Sequence, residues 1–321
     1  MKNLIHSNDH IFVAGHKGMV GSAITRKLLF KGYGETGGGK ILTASRKELD
    51  LEDASAVDFW MNSNKPDVVI LAAAKVGGIY ANSTLPTDFI LKNLKIQNNV
   101  IESSWRNGVR RFCFLGSSCI YPKFAPQPIN EESLLSGQLE ATNEPYAIAK
   151  IAGIKLVEAL RSQHNFDGFS LMPTNLYGPG DNYHPNNSHV MAAFIRRFSE
   201  AAADTSTSQL TCWGSGEPRR EFLHVDDLAD AVLFCLESWS KDLSNPSFLN
   251  VGSGSDLTIH ELAHKVALHA GFQGEIIWDE TKPDGTPKKL LDISRLSAKG
   301  WSAQISLNEG IKTTIQDWRK R

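Results

Sequence analysis

An α/β protein with a doubly wound parallel sheet, followed by a smaller α/β domain, is the fold class this sequence predicts. Three observations predict it: a glycine-rich turn between the first apolar run and the first helical pattern, a repeated alternation of wholly apolar runs with helical ones, and a change of texture beyond Pro173. The first apolar run is Ile11-Phe12-Val13-Ala14. It opens into Gly15-His16-Lys17-Gly18-Met19-Val20-Gly21 and a helical pattern through Leu29, with Gly32 and Gly34 as stop signals. The pattern recurs at residues 41–44 before a helix near 54–61, at 68–73 before a long helix near 89–105, and at 112–115 before a loop. Runs that are apolar at every position are buried on both faces, as in a parallel sheet covered by helices on each side.

From Cys119 to Asn143 the composition turns to Pro, Glu, Ser and Gln, which predicts a long surface loop before a helix at 146–160. Loops of this length are often functional. Beyond 169–173 the segments shorten and gain Gly, Pro and Asn, with helices expected near 190–202, 225–238, 259–270 and 307–318. The division expected is a Rossmann-type dinucleotide-binding domain over residues 1–174, to which strands near 221–224 and 247–251 return, and a mainly substrate-binding domain over 175–321. No internal repeat is visible, and Gly37-Gly38-Gly39 reads as a loop tip.

With 321 residues, 41% of them hydrophobic, the chain can bury a substantial core. Its 34 Lys and Arg against 35 Asp and Glu give a formal charge of -1. No global basic field exists to hold a nucleic-acid backbone or an anionic membrane, so any anion site is local. Cys113, Cys119, Cys212 and Cys235 lack CxxC spacing, which disfavours a structural metal site and a disulfide framework alike. The start is polar as far as His10, and no later stretch approaches the ~20 apolar residues of a membrane span. A cytoplasmic location is the default expectation.

A glycine turn behind a first strand lets backbone N–H groups at a helix N-terminus receive a pyrophosphate, because the unpaired donors and the helix dipole both favour an anion there. Gly15, Gly18 and Gly21 fit the GxxGxxG form of that turn, and the strand–helix alternation that follows supplies its context. The second strand ends in Thr43-Ala44-Ser45-Arg46, where a site for NAD usually has an acid to hold the ribose 2′-hydroxyl. A carboxylate would repel a 2′-phosphate, whereas Arg46 can pair with it and Lys17 can add a second charge. NADP(H) is therefore the expected cofactor.

Tyr146 and Lys150 lie four residues apart on a predicted helix, so about 400° of rotation sets both side chains on one face, one turn apart. A free tyrosine has a pKa of ~10, and a cation within ~4–6 Å lowers an acid by roughly 1–3 units, which would bring the phenol toward the range useful for proton transfer. Lys150 can also hydrogen-bond a nicotinamide ribose. Upstream, the fourth strand ends in Leu115-Gly116-Ser117-Ser118-Cys119, and ligands sit at strand carboxyl ends in such sheets. The Ser117 hydroxyl can there orient a substrate oxygen beside the tyrosine.

Together, Gly15 to Gly21, Ser117, Tyr146 and Lys150 resemble the extended short-chain dehydrogenase/reductases that act on nucleotide sugars. Within them the chain more closely resembles the GDP-L-fucose synthase family, over nearly its whole length. The matching segments are GHKGMVGSA at 15–23, LAAAKVGGI at 71–79, LGSSCIYPK at 115–123, NEPYAIAKIAGIKL at 143–156, MPTNLYGP at 172–179, NNSHV at 186–190, EFLHVDD at 221–227 and KPDGTPKKLLD at 282–292. One departure is Lys17, where the family's turn often carries Arg. The charge is kept but the bidentate fork is lost, so 2′-phosphate binding leans more on Arg46.

The resemblance implies an enzyme that epimerises GDP-4-keto-6-deoxy-D-mannose at C3 and C5 and then reduces C4 with NADPH, giving GDP-L-fucose. Carried over residue by residue, Cys119 is the base and His189 the acid of epimerisation, while Ser117, Tyr146 and Lys150 serve reduction. The cofactor positions implied are Gly15, His16, Lys17, Gly18, Met19, Val20, Gly21, Arg46, Leu51, Leu115, Ser118, Lys150, Pro173, Asn175, Leu176 and His189. Arg197, Trp213, Arg220 and Asp284 match positions that bind the nucleotide sugar, and Lys289 is a further phosphate candidate. Guanine comes from the resemblance alone, as does a homodimer built on helices that include the one bearing Tyr146. Two other readings stay open. Another nucleotide-sugar epimerase, reductase or dehydratase of the same family is disfavoured by Arg46, Cys119 and His189. A non-catalytic NADP(H)-sensing protein would be expected to lack part of the Ser117, Tyr146 and Lys150 set.

Overall fold

The computed structural model describes residues 3–35, 37–185, 187–204, 206–242, 245–282 and 284–321; Asn186 and Pro283, which fall in two of the matching segments, lie outside them. In chain order the strands are β1 (His10–Ala14), β2 (Lys40–Leu42), β3 (Val68–Leu71), β4 (Arg111–Leu115), β5 (Gly168–Pro173), β6 (Asn175–Tyr177), β7 (Gln209–Trp213), β8 (Arg219–His224), β9 (Phe248–Val251), β10 (Asp256–Thr258), β11 (Glu275–Asp279) and β12 (Lys288–Lys289). The helices are α1 (Met19–Phe30), α2 (Ala54–Asn64), α3 (Ile79–Thr84), α4 (Pro86–Arg106), α5 (Glu144–His164), α6 (Val190–Ala203), α7 (Val225–Ser238), α8 (Ile259–Ala270), α9 (Ser294–Ala298) and α10 (Leu307–Trp318).

Six parallel strands form the main sheet in the order β2-β1-β3-β4-β5-β9. Their apolar runs divide by parity, because successive side chains point to opposite faces. Ile11, Val13, Val68, Ile70, Cys113 and Leu115 enter one core with α1 and α7. Phe12, Ala14, Val69, Leu71, Phe112 and Phe114 enter the other with α2, α4 and α5. The strand order reverses at β1, and the crevice beyond the carboxyl ends of β1 and β3 is where such a sheet takes a ligand.

A second unit packs α6, α8 and α10 around Phe194, Phe198, Leu262, Val266, Ile311 and Ile315. Beside that core, β8 pairs with β6, β10 and β12, and β7 pairs with β11. The strand expected near 221–224 to return to the main sheet therefore does not. It is the end of β8, whose edges are taken by β6, β10 and β12, although Leu223 enters the core shared with α1 and the helix after it, α7, packs against α1. The segment after Cys119 also departs from a plain surface loop. Tyr121 and Ile129 are buried, Ile129 bridges to Leu291, and the Tyr121 hydroxyl donates to Asn250 Oδ1 at 2.5 Å. Apolar residues spaced through a polar stretch pin it between the two units.

The largest fully buried side chain is Arg111, at the start of β4. It pairs with Asp167 at 2.6 Å and donates to the carbonyls of Leu236 at 2.8 Å, Cys235 at 2.8 Å and Trp239 at the end of α7. One guanidinium thus joins β4, the turn before β5 and the last orphan carbonyls of a helix. Replacing Arg111 with Met removes the side-chain donor from those carbonyls and from Asp167, leaving Cys235 only its bond from the Trp239 N–H. Urea unfolding of Arg111→Met is expected to show a loss of about 3–5 kcal/mol; a loss below about 1 kcal/mol would show that the pair contributes little.

Candidate active site

The turn after β1 is built for close backbone approach. Gly15 has φ +93°, and a Cβ there would lie 2.8 Å from the Ala73 nitrogen. A Cβ on Gly21 would lie 2.1 Å from the Gly15 carbonyl oxygen, so α1 seats against the turn only because position 21 is glycine. Gly18 is the N-cap of α1 and offers no side-chain cap to the first N–H groups. Met19 and Val20 pack down onto the core from that first turn. The His16 Nδ1 is buried without a hydrogen-bond partner among the described residues. Across the crevice, buried Asn93 of α4 accepts from the Lys75 N–H at 2.9 Å and donates to its carbonyl at 3.0 Å, fixing the chain beyond β3. The cradle and its unfilled donors suit an anionic dinucleotide.

Arg46 is exposed beyond β2, within 2.8 Å of Glu52 and 3.8 Å of Asp50. Glu48 accepts from the Ser45 N–H at 2.7 Å; bonds from Ser45, and then the Lys17 and His16 charges, hold its carboxyl below the usual range. The expected arginine is present, but acids four and six residues farther along already engage it. Leu51 packs its side chain against the core while its carbonyl accepts from Asn99 at 2.9 Å.

At the carboxyl end of β4, Ser117 caps a short 3₁₀ turn, Ser118–Ile120, and accepts from the Cys119 N–H at 3.2 Å. Ser118 is buried in that turn. Facing it, Lys150 of α5 is buried, donates to the Leu115 carbonyl at 2.7 Å and lies over the rings of Phe114 and Tyr146, at 4.7 and 5.9 Å from their centroids. Burial pushes the Lys150 ammonium down to about 7. It does not depress Tyr146, contrary to expectation. Burial raises the Tyr146 phenol, the neighbouring Cys119 raises it further, and a hydrogen bond with Ser117 opposes both. The reason is physical: the desolvation that seats the lysine beside the phenol also weakens the lysine's charge and penalises a phenolate.

His189 is the N-cap residue of α6 and is exposed. Crowding by the surrounding protein, and then the Lys289 charge, hold its imidazole below the ordinary value. Lys289, on β12, places its amine 3.6 Å from the Cys119 sulfur and is in register with Arg220. Arg220, on β8, is lowered by burial and raised in turn by Asp284, Cys119 and Glu140, which places it among those three acids. Asp284 accepts from the Ser215 N–H and hydroxyl at 3.1 and 2.7 Å. Exposed Trp213 lies under the Lys282 amine, at 5.8 Å, and Arg197 donates to the Thr211 carbonyl two residues before it, at 2.6 Å. Pro173 is buried at the end of β5, Leu176 packs on the core, and Asn175 donates to the Glu221 carbonyl at 2.8 Å. Sequence reasoning missed Asn93, whose only signal is an amide on the buried face of a helix, and Glu221, an acid wholly buried in an apolar strand.

Residues 11–252 match the NAD dependent epimerase/dehydratase family. A putative GDP-L-fucose synthase 2 of Arabidopsis thaliana is 54% identical across 98% of this chain and 92% of its own length. The GDP-L-fucose synthase of Escherichia coli (strain K12) is 51% identical across 97% of this chain and 96% of its own.

The chain belongs to the GDP-L-fucose synthase family.

Among solved structures, a GDP-mannoheptose C4 reductase from Campylobacter jejuni with NADP bound superposes with a TM-score of 0.89, at 33% identity over 98% of this chain and 99% of that one. The expected contact of Lys150 with the nicotinamide ribose carries a consequence for binding. Below about 7 Lys150 is an ammonium, and above it a neutral amine. A cationic donor favours a polyanionic cofactor, so affinity for NADPH falls as pH rises through that value. Titration of protein fluorescence with NADPH from pH 6.5 to 8.5 is expected to weaken about tenfold, the difference between a charge-assisted and a neutral hydrogen bond, and Lys150→Met should flatten the dependence. An unchanged affinity across the range in the native protein would contradict the assignment.

Proposed function

We propose that this protein converts GDP-4-keto-6-deoxy-D-mannose to GDP-L-fucose, by epimerisation at C3 and C5 and NADPH-dependent reduction at C4. The observation that carries the reading is the convergence of two proton-transfer sets on one strand end: Ser117 and Cys119 share a single turn, and Tyr146 faces both. High identity to GDP-L-fucose synthases over nearly the whole chain supports it.

The glycine turn and the N-terminus of α1 hold the cofactor's pyrophosphate, Arg46 and Lys17 its 2′-phosphate, and Lys150 its nicotinamide ribose. NADPH, when bound, supplies the hydride that C4 receives. The chain's own residues handle every proton. Ser117 and Tyr146 donate to O4 of the ketone, which acidifies the C–H bonds on C3 and C5. Cys119 takes a proton from each carbon in turn, and the negative charge that appears on O4 is held by the same two hydroxyls. His189 returns a proton from the opposite face, inverting the carbon. During reduction Tyr146 passes its proton to O4. A phenol raised by burial suits both duties, since it stays protonated until an oxyanion forms beside it.

Arg197, Arg220 and Asp284 bind the nucleotide diphosphate, and Trp213 offers an exposed ring for the base. Exposed Leu91 on α4 and Ile148 on α5 support a homodimer through these helices, and four free cysteines fit the reducing cytoplasm. Among the described residues no helix is long and apolar enough to cross a membrane.

The two proton-transfer sets separate experimentally. With substrate in D₂O, Tyr146→Phe should still exchange the C3 and C5 protons without NADPH, more slowly because Ser117 alone then donates to O4, and should lose reduction once NADPH is added, whereas Cys119→Ser should lose exchange by ~10²–10⁴-fold. Nuclear magnetic resonance of the sugar reads exchange, and NADPH absorbance reads reduction. Exchange at the native rate in both Cys119→Ser and His189→Asn would leave only a 4-keto reductase.

A further inference from the structure

We propose that Lys289 is a positioning residue for epimerisation: its ammonium group holds Cys119 as the thiolate that removes the protons from C3 and C5. The proposal rests on Cys119 being the base. A neutral thiol accepts a proton poorly, and a thiol becomes a useful base when a cation beside it favours the anion.

Lys289 meets that requirement by geometry. Its amine is 3.6 Å from Sγ, within hydrogen-bond range for sulfur. The neighbouring Lys288 pairs with Asp256 at 3.2 Å, whereas no ion pair forms at Lys289 among the described residues. Its charge is directed at the sulfur and not at a carboxylate. The strand that carries it is held in place: Lys288 and Lys289 pair with Arg219 and Arg220 of β8, and the Leu291 N–H donates to the buried Glu221 carboxylate at 3.0 Å. The other charged or titratable groups facing Cys119 are Arg220 from β8, a second cation, and Tyr146 from α5. The Lys289 charge also disfavours protonation of His189. A single side chain therefore neighbours both epimerisation groups, and by lowering His189 it makes the imidazolium the stronger acid for returning a proton. In the step itself, the thiolate takes the C3 or C5 proton, the C–H electron pair enters the enolate, and O4 carries the charge toward Ser117 and Tyr146. The resulting thiol returns to the thiolate by losing its proton to solvent, with Lys289 again as its counter-charge.

The other cysteines make this measurable. Cys113, Cys212 and Cys235 are buried, and burial pushes Cys212 up to about 11 and Cys235 up to about 12. Alkylation of the folded protein by iodoacetamide therefore reports Cys119, with Cys119→Ser as the blank. Labelling rate is followed by mass spectrometry from pH 5 to 10. In Lys289→Met the midpoint is expected to rise by about 1–3 pH units, in Lys289→Arg to stay near the native value, and the C3 and C5 exchange lost in Lys289→Met at neutral pH to recover at alkaline pH. NADPH binding checks the fold, and Lys289→Gln gives the same reading should Lys289→Met not fold. A native midpoint in the methionine or glutamine variant, or an exchange defect that alkali leaves unchanged, overturns the proposal. Native exchange in Cys119→Ser overturns the assignment of the base instead, and does so whatever the alkylation of the Lys289 variants shows.

Discussion

The arrangement of the cleft depends on a carboxylate that never reaches water. Glu221 lies on β8 with no exposed surface and accepts from the N–H groups of Leu291 at 3.0 Å and Gly254 at 2.8 Å. A Cβ on Gly252 would sit 2.3 Å from one of its oxygens, so the turn after β9 wraps it closely. Burial raises its carboxyl while the backbone donors oppose the shift. Those bonds tie three pieces of chain distant in sequence: the edge of the main sheet at β9, the central strand of the second unit, and the short strand that brings Lys289 to Cys119. Without partners a buried carboxylate is costly, and with them it fixes the geometry of everything attached.

Burial also sets the chemistry. The same desolvation that lowers Lys150 raises Tyr146, so the helix that bears both delivers a weakened cation and a retained phenolic proton. A reductase working toward the alcohol has use for that combination, because the oxygen receiving hydride on its carbon needs a proton donor and not a preformed phenolate. The thiol on the facing turn works under the opposite demand and lies next to an amine. Two adjoining local environments thus divide the proton chemistry, as expected where neighbouring groups are pushed apart in acidity.

Much of the fold was legible because its determinants are local. Strands apolar at every position, a glycine turn and helices with clear stops report themselves along the chain, and the helices predicted at 225–238, 259–270 and 307–318 coincide with α7, α8 and α10. The second unit was less legible. A two-residue strand such as β12 has no periodicity to read, and β8, with Arg219, Arg220 and Glu221 in a six-residue run, resembles neither an alternating nor a continuous apolar strand. The residues proposed for the site were found through resemblance more than through spacing. Cys119 and Lys289 are 170 positions apart, and only folding brings them together. The acidity of Tyr146 was misjudged because a pair spacing gives proximity but says nothing about water, and it is the exclusion of water that decides the sign.

The central claim is that one cleft performs both inversion and reduction. It is tested most directly by the product formed in D₂O from GDP-4-keto-6-deoxy-D-mannose and unlabelled NADPH, read by proton nuclear magnetic resonance. The account predicts GDP-L-fucose with deuterium at C3 and C5 and protium at C4. A reduced sugar that retains the D-manno configuration at C3 and C5, with protium at both, would contradict it.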